Sequence, residues 1–404
     1  MSMKVLQINK YLKIVGGAET YMFQLSKLLV GQDIEVKLWG MADDENLVQD
    51  FPGLEPSNVD YSNQNFKTKI SSVVDTIYSR NNRLKIAKVL DEYQPDIVHI
   101  HNYNFQLTPS ILPEIKKRGI KVVQTIHDSQ MVCPYHRLYS FQRNEVCTKC
   151  VQGSFVNCIK DRCFDDSLLK STIGAVESIY YHSKGYYEKY VDQYISPSNF
   201  LADLIKNKIN KEIKVIPNFT KVTASKQCIE SNKNYYLYYG RISEEKGILE
   251  LIEIFKDIEL ELLIVGKGPI ENLVIEKIIS HSNITFLGPK FESELFTIVK
   301  QAKFVIQSSK WFENCPMTII EAFSLGIPVI GSNHSGFIDL IEDKKTGFLL
   351  DFNNKSEVIT KLLEIDKLDV LPIQKQVREF YEKNLSEEIH LEKILMVYNN
   401  LLKL

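Results

Sequence analysis

The sequence predicts an α/β protein built from two domains, each a parallel β-sheet covered on both faces by helices. Three observations carry this expectation. The chain has 404 residues, too many for one ordinary core, so two domains of about 200 residues each are the default. Short apolar runs alternate with longer amphipathic ones in both halves, as strands joined by right-handed helical crossovers do. Several strand-like runs end in a glycine turn or a polar cluster, where a parallel sheet offers its carboxyl edge to a ligand. Hydrophobic residues at 44% and charged residues at 25% describe a soluble globular chain. A net charge of -2 gives no reason to expect nucleic acid as a partner. No apolar run reaches the roughly 18 residues that span a bilayer, and the start Met1-Ser-Met-Lys-Val lacks the layout of a signal peptide, so the expected location is cytoplasmic.

Val5 to Asn9 reads as the first buried strand, followed by Gly16-Gly17-Ala18-Glu19 and a helix with Met22, Leu25, Leu28 and Leu29 on one face. Glycines at a strand-to-helix junction let a ligand approach the backbone, and equally make a tight turn. Ile34, Val36 and Leu38 alternate as a second strand. Residues 66–93 read as a helix with Ile70, Val73, Val74 and Ile77 on one side and Lys67, Lys69, Arg80, Arg83, Lys85 and Lys88 elsewhere. Such a face either lies on an anionic membrane surface or is a solvated face over a core. Asp96 to Asn102 and Lys121 to Asp128 are two further strands, ending in His99, His101 and Asn102 and in His127 and Asp128.

Residues 133–163 depart from this alternation. Cys147, Cys150, Cys158 and Cys163 put four of the seven cysteines within 17 residues. Four thiolates would satisfy a tetrahedral, structural zinc; free or redox-linked thiols are the other reading. Ser167 to Tyr190 reads as a helix mixing tyrosine with lysine, suited to a lipid headgroup boundary, a glycan surface or core packing. Tyr194 to Asn199 is a strand leading into a capped helix, and the domain boundary is expected near residue 215.

The second half repeats the pattern, with strands at Tyr235 to Tyr239, Leu260 to Val265, Ile284 to Leu287, Phe304 to Gln307 and Val329 to Gly331. Gly240-Arg241 follows the first of these, Glu245-Lys246-Gly247 opens the next helix, and Gly266-Lys267-Gly268 forms another strand-end turn. The centre of the chain is Glu313-Asn314-Cys315-Pro316-Met317-Thr318-Ile319-Ile320-Glu321. Proline suits a first helical position, so the helix is expected to start at Pro316, with Glu313 in the loop before it. Free N–H groups of the first turn then lie between two acids, a cradle for a diphosphate with a hydroxylated group at each end. A sugar nucleotide has that form. Ser386 to Leu404 reads as a last helix with Ile389, Ile394, Val397, Tyr398 and Leu401 along one face.

Ser308-Ser309, Glu313, Glu321-Ala322, Gly326 and Pro328-Val329 together resemble the signature of retaining family-four glycosyltransferases. The resemblance implies two Rossmann-like domains facing a cleft, the arrangement called GT-B. Residues 1–215 would form the acceptor-side domain, with a cysteine-rich insertion at 133–163 as in a subgroup of the family. Residues 216–385 would bind the donor, and 386–404 would cross back onto the first domain. It implies transfer of a sugar from a UDP- or GDP-linked donor to a saccharide or lipid-linked saccharide acceptor of a surface polysaccharide, at the inner face of a membrane. Arg241 and Lys246 would grip the diphosphate, Glu313 would orient the sugar, Glu321 would bind ribose, and His127 would contact the sugar near the reacting carbon. Gly17, Gly240, Gly266, Gly268 and Asn314 to Thr318, with Cys315, Pro316 and Met317 between them, would line the donor. Glu19, His99, His101, Asn102 and Asp128 would face the acceptor. No Asp-X-Asp triplet is available to hold a cation, so no catalytic metal is expected. Ser335-Gly336-Phe337 to Asp339 resembles the sugar-contacting loop, although the family commonly carries paired glycines and a glutamate there. A sugar-nucleotide epimerase or hydrolase of the same fold, and a non-catalytic binding protein using the cysteine cluster, are the alternative readings.

Overall fold

The computed structural model describes residues 2–57, 74–220 and 234–403. The chain divides into two compact units: Met1–Leu138 with Cys147–Ile216 and His390–Leu404, and Tyr139–Val146 with Pro217–Ile389. The division differs from a single cut near residue 215. The hairpin within the cysteine-rich segment groups with the second unit, because Val146 lines a cavity of that unit beside Glu250 and Ser308.

The first unit contains the strands β1 (Lys4–Ile8), β2 (Glu35–Trp39), β3 (Ile97–Ile100) and β4 (Lys121–Thr125). The hairpin of the second unit is made by β5 (Tyr139–Ser140) and β6 (Glu145–Val146). The first sheet continues with β7 (Gln193–Ser196) and β8 (Ile213–Val215), in the order β2-β1-β3-β4-β7-β8, its neighbouring strands parallel. All of β3 is buried, as expected of a parallel strand covered on both faces. The helix Arg80–Tyr93 is capped by Ser79, whose side chain accepts from Asn82 N–H. The earlier part of the helix expected over 66–93, with Lys67, Lys69, Ile70 and Val73, lies outside the described residues. The tyrosine-rich helix is two helices, Leu168–Ser183 and Tyr186–Tyr190, because Gly185 takes a left-handed conformation at φ 64°.

The second unit carries β9 (Tyr235–Tyr239), β10 (Glu261–Val265), β11 (Ile284–Gly288), β12 (Phe304–Gln307), β13 (Val329–Ser332) and β14 (Gly347–Leu350). Their order is β11-β10-β9-β12-β13-β14, again parallel. This is the doubly wound dinucleotide-fold order, which reverses direction between β9 and β12. In the first sheet the reversal falls between β1 and β3. Ligands of open α/β sheets bind outside the carboxyl ends of the strands at such reversals.

Candidate active site

In the second unit the loops after β9 and β12 lock together at the reversal. Gly247, at φ 70°, lies so close to the loop after β12 that a Cβ would stand 1.9 Å from the Ser308 carbonyl oxygen. Lys310 N–H donates to Glu245 O at 2.9 Å across the same seam. The result is an ion pair between Lys246 and Glu313, with 21% and 14% of their side chains exposed. Ser309 Oγ and Trp311 Nε1 donate to the same Glu313 oxygen at 3.0 and 2.8 Å. Lys246 Nζ lies 4.9 Å from the Trp311 ring centre. Burial pushes the Glu313 carboxyl up, but Lys246 and the two neutral donors outweigh it and hold Glu313 below the usual carboxylate range.

The helix Met317–Ser324 starts one residue later than expected. Pro316 is its N-cap at ψ 118°, extended rather than helical, so the first helical N–H belongs to Met317. Glu321 sits one turn in, partly buried, and burial lifts its carboxyl to about 7 against the opposing hydrogen bond of Tyr239. The Tyr239 hydroxyl donates its proton to Thr318 O at 2.5 Å. Arg241 is exposed directly after Gly240. Gly266 and Gly268 pack the next turn onto this loop: a Cβ at Gly266 would lie 1.8 Å from Gly240 O, and one at Gly268 2.1 Å from Ile242 O. Cys315 is buried, with its thiol pushed up to about 12 by burial.

The Ser335-Gly336 loop closes on the Glu313 backbone. Gly336 N–H donates to Glu313 O at 2.9 Å, and Glu313 N–H donates to Ser335 Oγ at 3.1 Å. A Cβ at Gly336 would stand 1.7 Å from Asn314 O. Ser335 itself adopts φ 55° and ψ -145°, a conformation natural to the glycine that the resembling pattern has nearby.

In the first unit, β1, β3 and β4 end beside the start of the helix Gly17–Val30. Glu19, expected to face an acceptor, is only 4% exposed and serves the fold instead. One carboxylate oxygen accepts from Gly16 N–H at 3.0 Å as a capping box, and the other from Asn9 Nδ2 at 3.1 Å. His99 is likewise fully buried, bonded to Tyr398 Oη at 2.6 Å and Thr125 Oγ1 at 2.7 Å. His101 is fully buried too, between Gln7 and His127. Neither of these two imidazoles can touch an acceptor. Burial pushes His99 down to about 3 and His127 to about 4. His127, Asn102 and Asp128 remain partly exposed; Asn102 N–H donates to Asn9 Oδ1 at 3.0 Å, and Asp128 Oδ1 accepts from Gln130 N–H at 2.9 Å.

Among the described residues no group of three or more His, Cys, Asp or Glu side chains could hold a metal ion. A zinc site on Cys147, Cys150, Cys158 and Cys163 is thus not shown among the described residues. Cys150 and Cys158 instead fill a small apolar core with Phe155 and Ala175, with Cys163 and Phe164 packed against it. Burial pushes the Cys150 thiol up to about 12, and contact with Cys163 followed by burial pushes Cys158 further.

Sequence reasoning gives Trp311 and Tyr239 no role, and reaches Ser309 and Ser335 only through the signature and the loop they resemble, not as partners of Glu313. Ser309, Trp311 and Ser335 lie in loops with no periodicity, and Tyr239 reads simply as an apolar strand position.

Two Rossmann-like parallel-sheet units in one chain define the GT-B fold. Residues 15–158 match the family model described as Glycosyltransferase Family 4, and residues 221–383 that described as Glycosyl transferases group 1. The chain thus carries the two domains of a GT-B glycosyltransferase. It is 31% identical over 186 residues to the capsular polysaccharide biosynthesis glycosyltransferase CapM of Staphylococcus aureus, covering 43% of this chain and 48% of that one. An uncharacterized glycosyltransferase of Methanocaldococcus jannaschii is 27% identical over 186 residues, covering 45% and 52%. The chain spans about half the length of these curated relatives. Among solved structures, HepE of Anabaena in complex with UDP aligns over 98% of this chain and 100% of its own, with a TM-score of 0.64 at 16% identity. No helix among the described residues is long and apolar enough to cross a membrane.

Proposed function

We propose that the protein is a retaining, metal-independent glycosyltransferase that moves a sugar from a UDP- or GDP-linked donor to a hydroxyl of a saccharide or lipid-linked saccharide. The observation that carries this reading is the Lys246–Glu313 pair at the strand reversal, followed directly by the helix that bears Glu321. Glu321 receives the ribose hydroxyls, and the first-turn amides of Met317–Ser324 receive the diphosphate. Glu313 and His127 orient the sugar. As the bond from the anomeric carbon to the phosphate oxygen breaks, the acceptor oxygen bonds to that carbon from the same face and its proton passes to the departing phosphate. A nucleoside diphosphate leaves. The charge that grows on it falls to Arg241, Lys246 and the helix amides. Glu313, held ionised, keeps Lys246 in place beforehand, so little reorganisation is needed during transfer. Surface polysaccharide synthesis at the cytoplasmic face of a membrane is the proposed setting, in keeping with the name of the staphylococcal relative. The exposed Leu168, Leu169, Val176 and Ile179 of one helix would make the membrane contact.

The test is release of nucleoside diphosphate from UDP-, GDP- and ADP-sugars, with and without a lipid-linked saccharide extract and with EDTA. Release from one donor that rises with extract, persists in EDTA and falls about 100-fold or more in Glu313→Gln is expected. Equal release without any acceptor would indicate a hydrolase, and loss of release in EDTA would remove the metal-independent reading.

A further inference from the structure

A chain of hydrogen bonds beneath His127 has a direction. The Met22 carbonyl can only accept, and Ser26 Oγ donates to it at 2.9 Å. With its proton committed, the Ser26 oxygen accepts from Gln7 Nε2 at 2.9 Å. This turns the Gln7 carbonyl oxygen toward His101, where it lies 2.8 Å from Nε2. A carbonyl oxygen only accepts, so His101 Nε2 carries the proton. A neutral imidazole has one N–H, and His101 Nδ1 must therefore accept. Its partner at 3.0 Å is His127 Nε2, which must donate.

We infer that Gln7 and His101 are positioning residues, which hold His127 as the neutral tautomer with its proton on Nε2 and its lone pair on Nδ1. Two further observations support the inference. His101 is 0% exposed, and burial with the neighbouring imidazoles of His99 and His127 pushes it well below the ordinary histidine range, which keeps it neutral. Its ring is also clamped, stacked on His99 with centres 4.7 Å apart and met edge-on by Tyr21 at 5.8 Å, while Tyr21 meets His127 edge-on at 5.2 Å. His127 is then a hydrogen-bond acceptor through Nδ1, suited to a sugar hydroxyl, and not a proton donor to the leaving group. The effect on turnover rests on the proposed place of His127 at the donor sugar. The tautomer rests on the hydrogen-bond chain alone.

The experiment is a two-bond proton–nitrogen correlation spectrum of the full chain labelled with 15N-histidine, in which the two neutral tautomers give different patterns. His127→Asn assigns the signals. The wild type is expected to show Nε2–H at His127. Gln7→Met removes the carbonyl acceptor and should yield the Nδ1–H form or a mixture, with kcat lowered about tenfold and the donor KM nearly unchanged. Ser26→Ala, a milder change that leaves both histidines and Gln7 in place, should also give a mixture and serves if Gln7→Met does not fold. Nδ1–H at His127 in the wild type, or the same pattern in the wild type and the folded variants, overturns the inference. A changed tautomer with unchanged turnover sustains the relay and instead removes His127 from the donor sugar.

Discussion

Glu313 and Glu321 stand eight positions apart and titrate in opposite directions, because Lys246 and two neutral donors outweigh burial at Glu313, whereas burial outweighs the Tyr239 hydroxyl at Glu321. Glu321, lifted to about 7, is half protonated near neutrality, whereas the proposed ribose contact needs its carboxylate as acceptor. Nucleoside diphosphate affinity should therefore rise between pH 6 and pH 8 by about three- to tenfold more in the wild type than in Glu321→Gln, since one titrating group changes binding by at most about tenfold per pH unit. Calorimetric titration at several pH values reads this, and parallel curves for the two proteins would contradict it. Glu177 is a second raised carboxyl, 1% exposed and accepting from Asn104 Nδ2 at 2.8 Å, with burial lifting it to about 8. Its folded value exceeds the unfolded one, so stability is full below about pH 4.5 and declines as the pH climbs toward 8, by up to about 1.4 kcal/mol per unit. Thermal unfolding of Glu177→Gln should show a flatter decline over that window than the wild type.

At the scale of elements, the loop that enters the helix Gly336–Leu340 holds strain and function together. Ser335 occupies a glycine-like conformation that costs a serine about 1–3 kcal/mol, yet its hydroxyl anchors the backbone of Glu313. Ser335→Gly should raise stability by about 1 kcal/mol while lowering kcat, since it relieves the backbone and releases the loop. Ser335→Ala keeps the strain and loses the anchor, so it should lower both. Denaturant unfolding beside turnover separates these outcomes, and equal stability in the two variants would argue against strain at this position. Elements with a strong period were legible beforehand: Tyr235–Tyr239 and Phe304–Gln307 fall where their apolar runs predict. The hairpin β5–β6 was not, because two residues per strand carry no alternation to read. Pro316 misled by one position, since its fixed φ suits both an N-cap and a first helical residue, and only ψ tells them apart. Glu313, Glu321 and Lys246 stand out in the sequence by their pattern as candidates, whereas the donations of Ser309 and Trp311 to Glu313 depend on how two loops meet.

For the molecule as a whole, alternation alone predicts two parallel sheets but not their strand orders, which decide where each sheet reverses and hence where a ligand can sit. The two orders differ, and each unit has its own core, so two cooperative transitions are expected on heating rather than one. The C-terminal residues His390–Leu404 group with the first unit, where Ile394, Val397 and Tyr398 are buried and Tyr398 Oη meets His99. Tyr398→Phe would leave the buried His99 Nδ1 without that partner, at about 1–3 kcal/mol. In a unit of this size each kcal/mol moves a midpoint by roughly 2–4 °C. Differential scanning calorimetry should then show one transition lowered by several degrees in Tyr398→Phe and the other unmoved, while Ser335→Ala lowers the other. If both variants shift the same transition, or both transitions move together, the units do not unfold separately and the tail is not a part of the first unit's core alone.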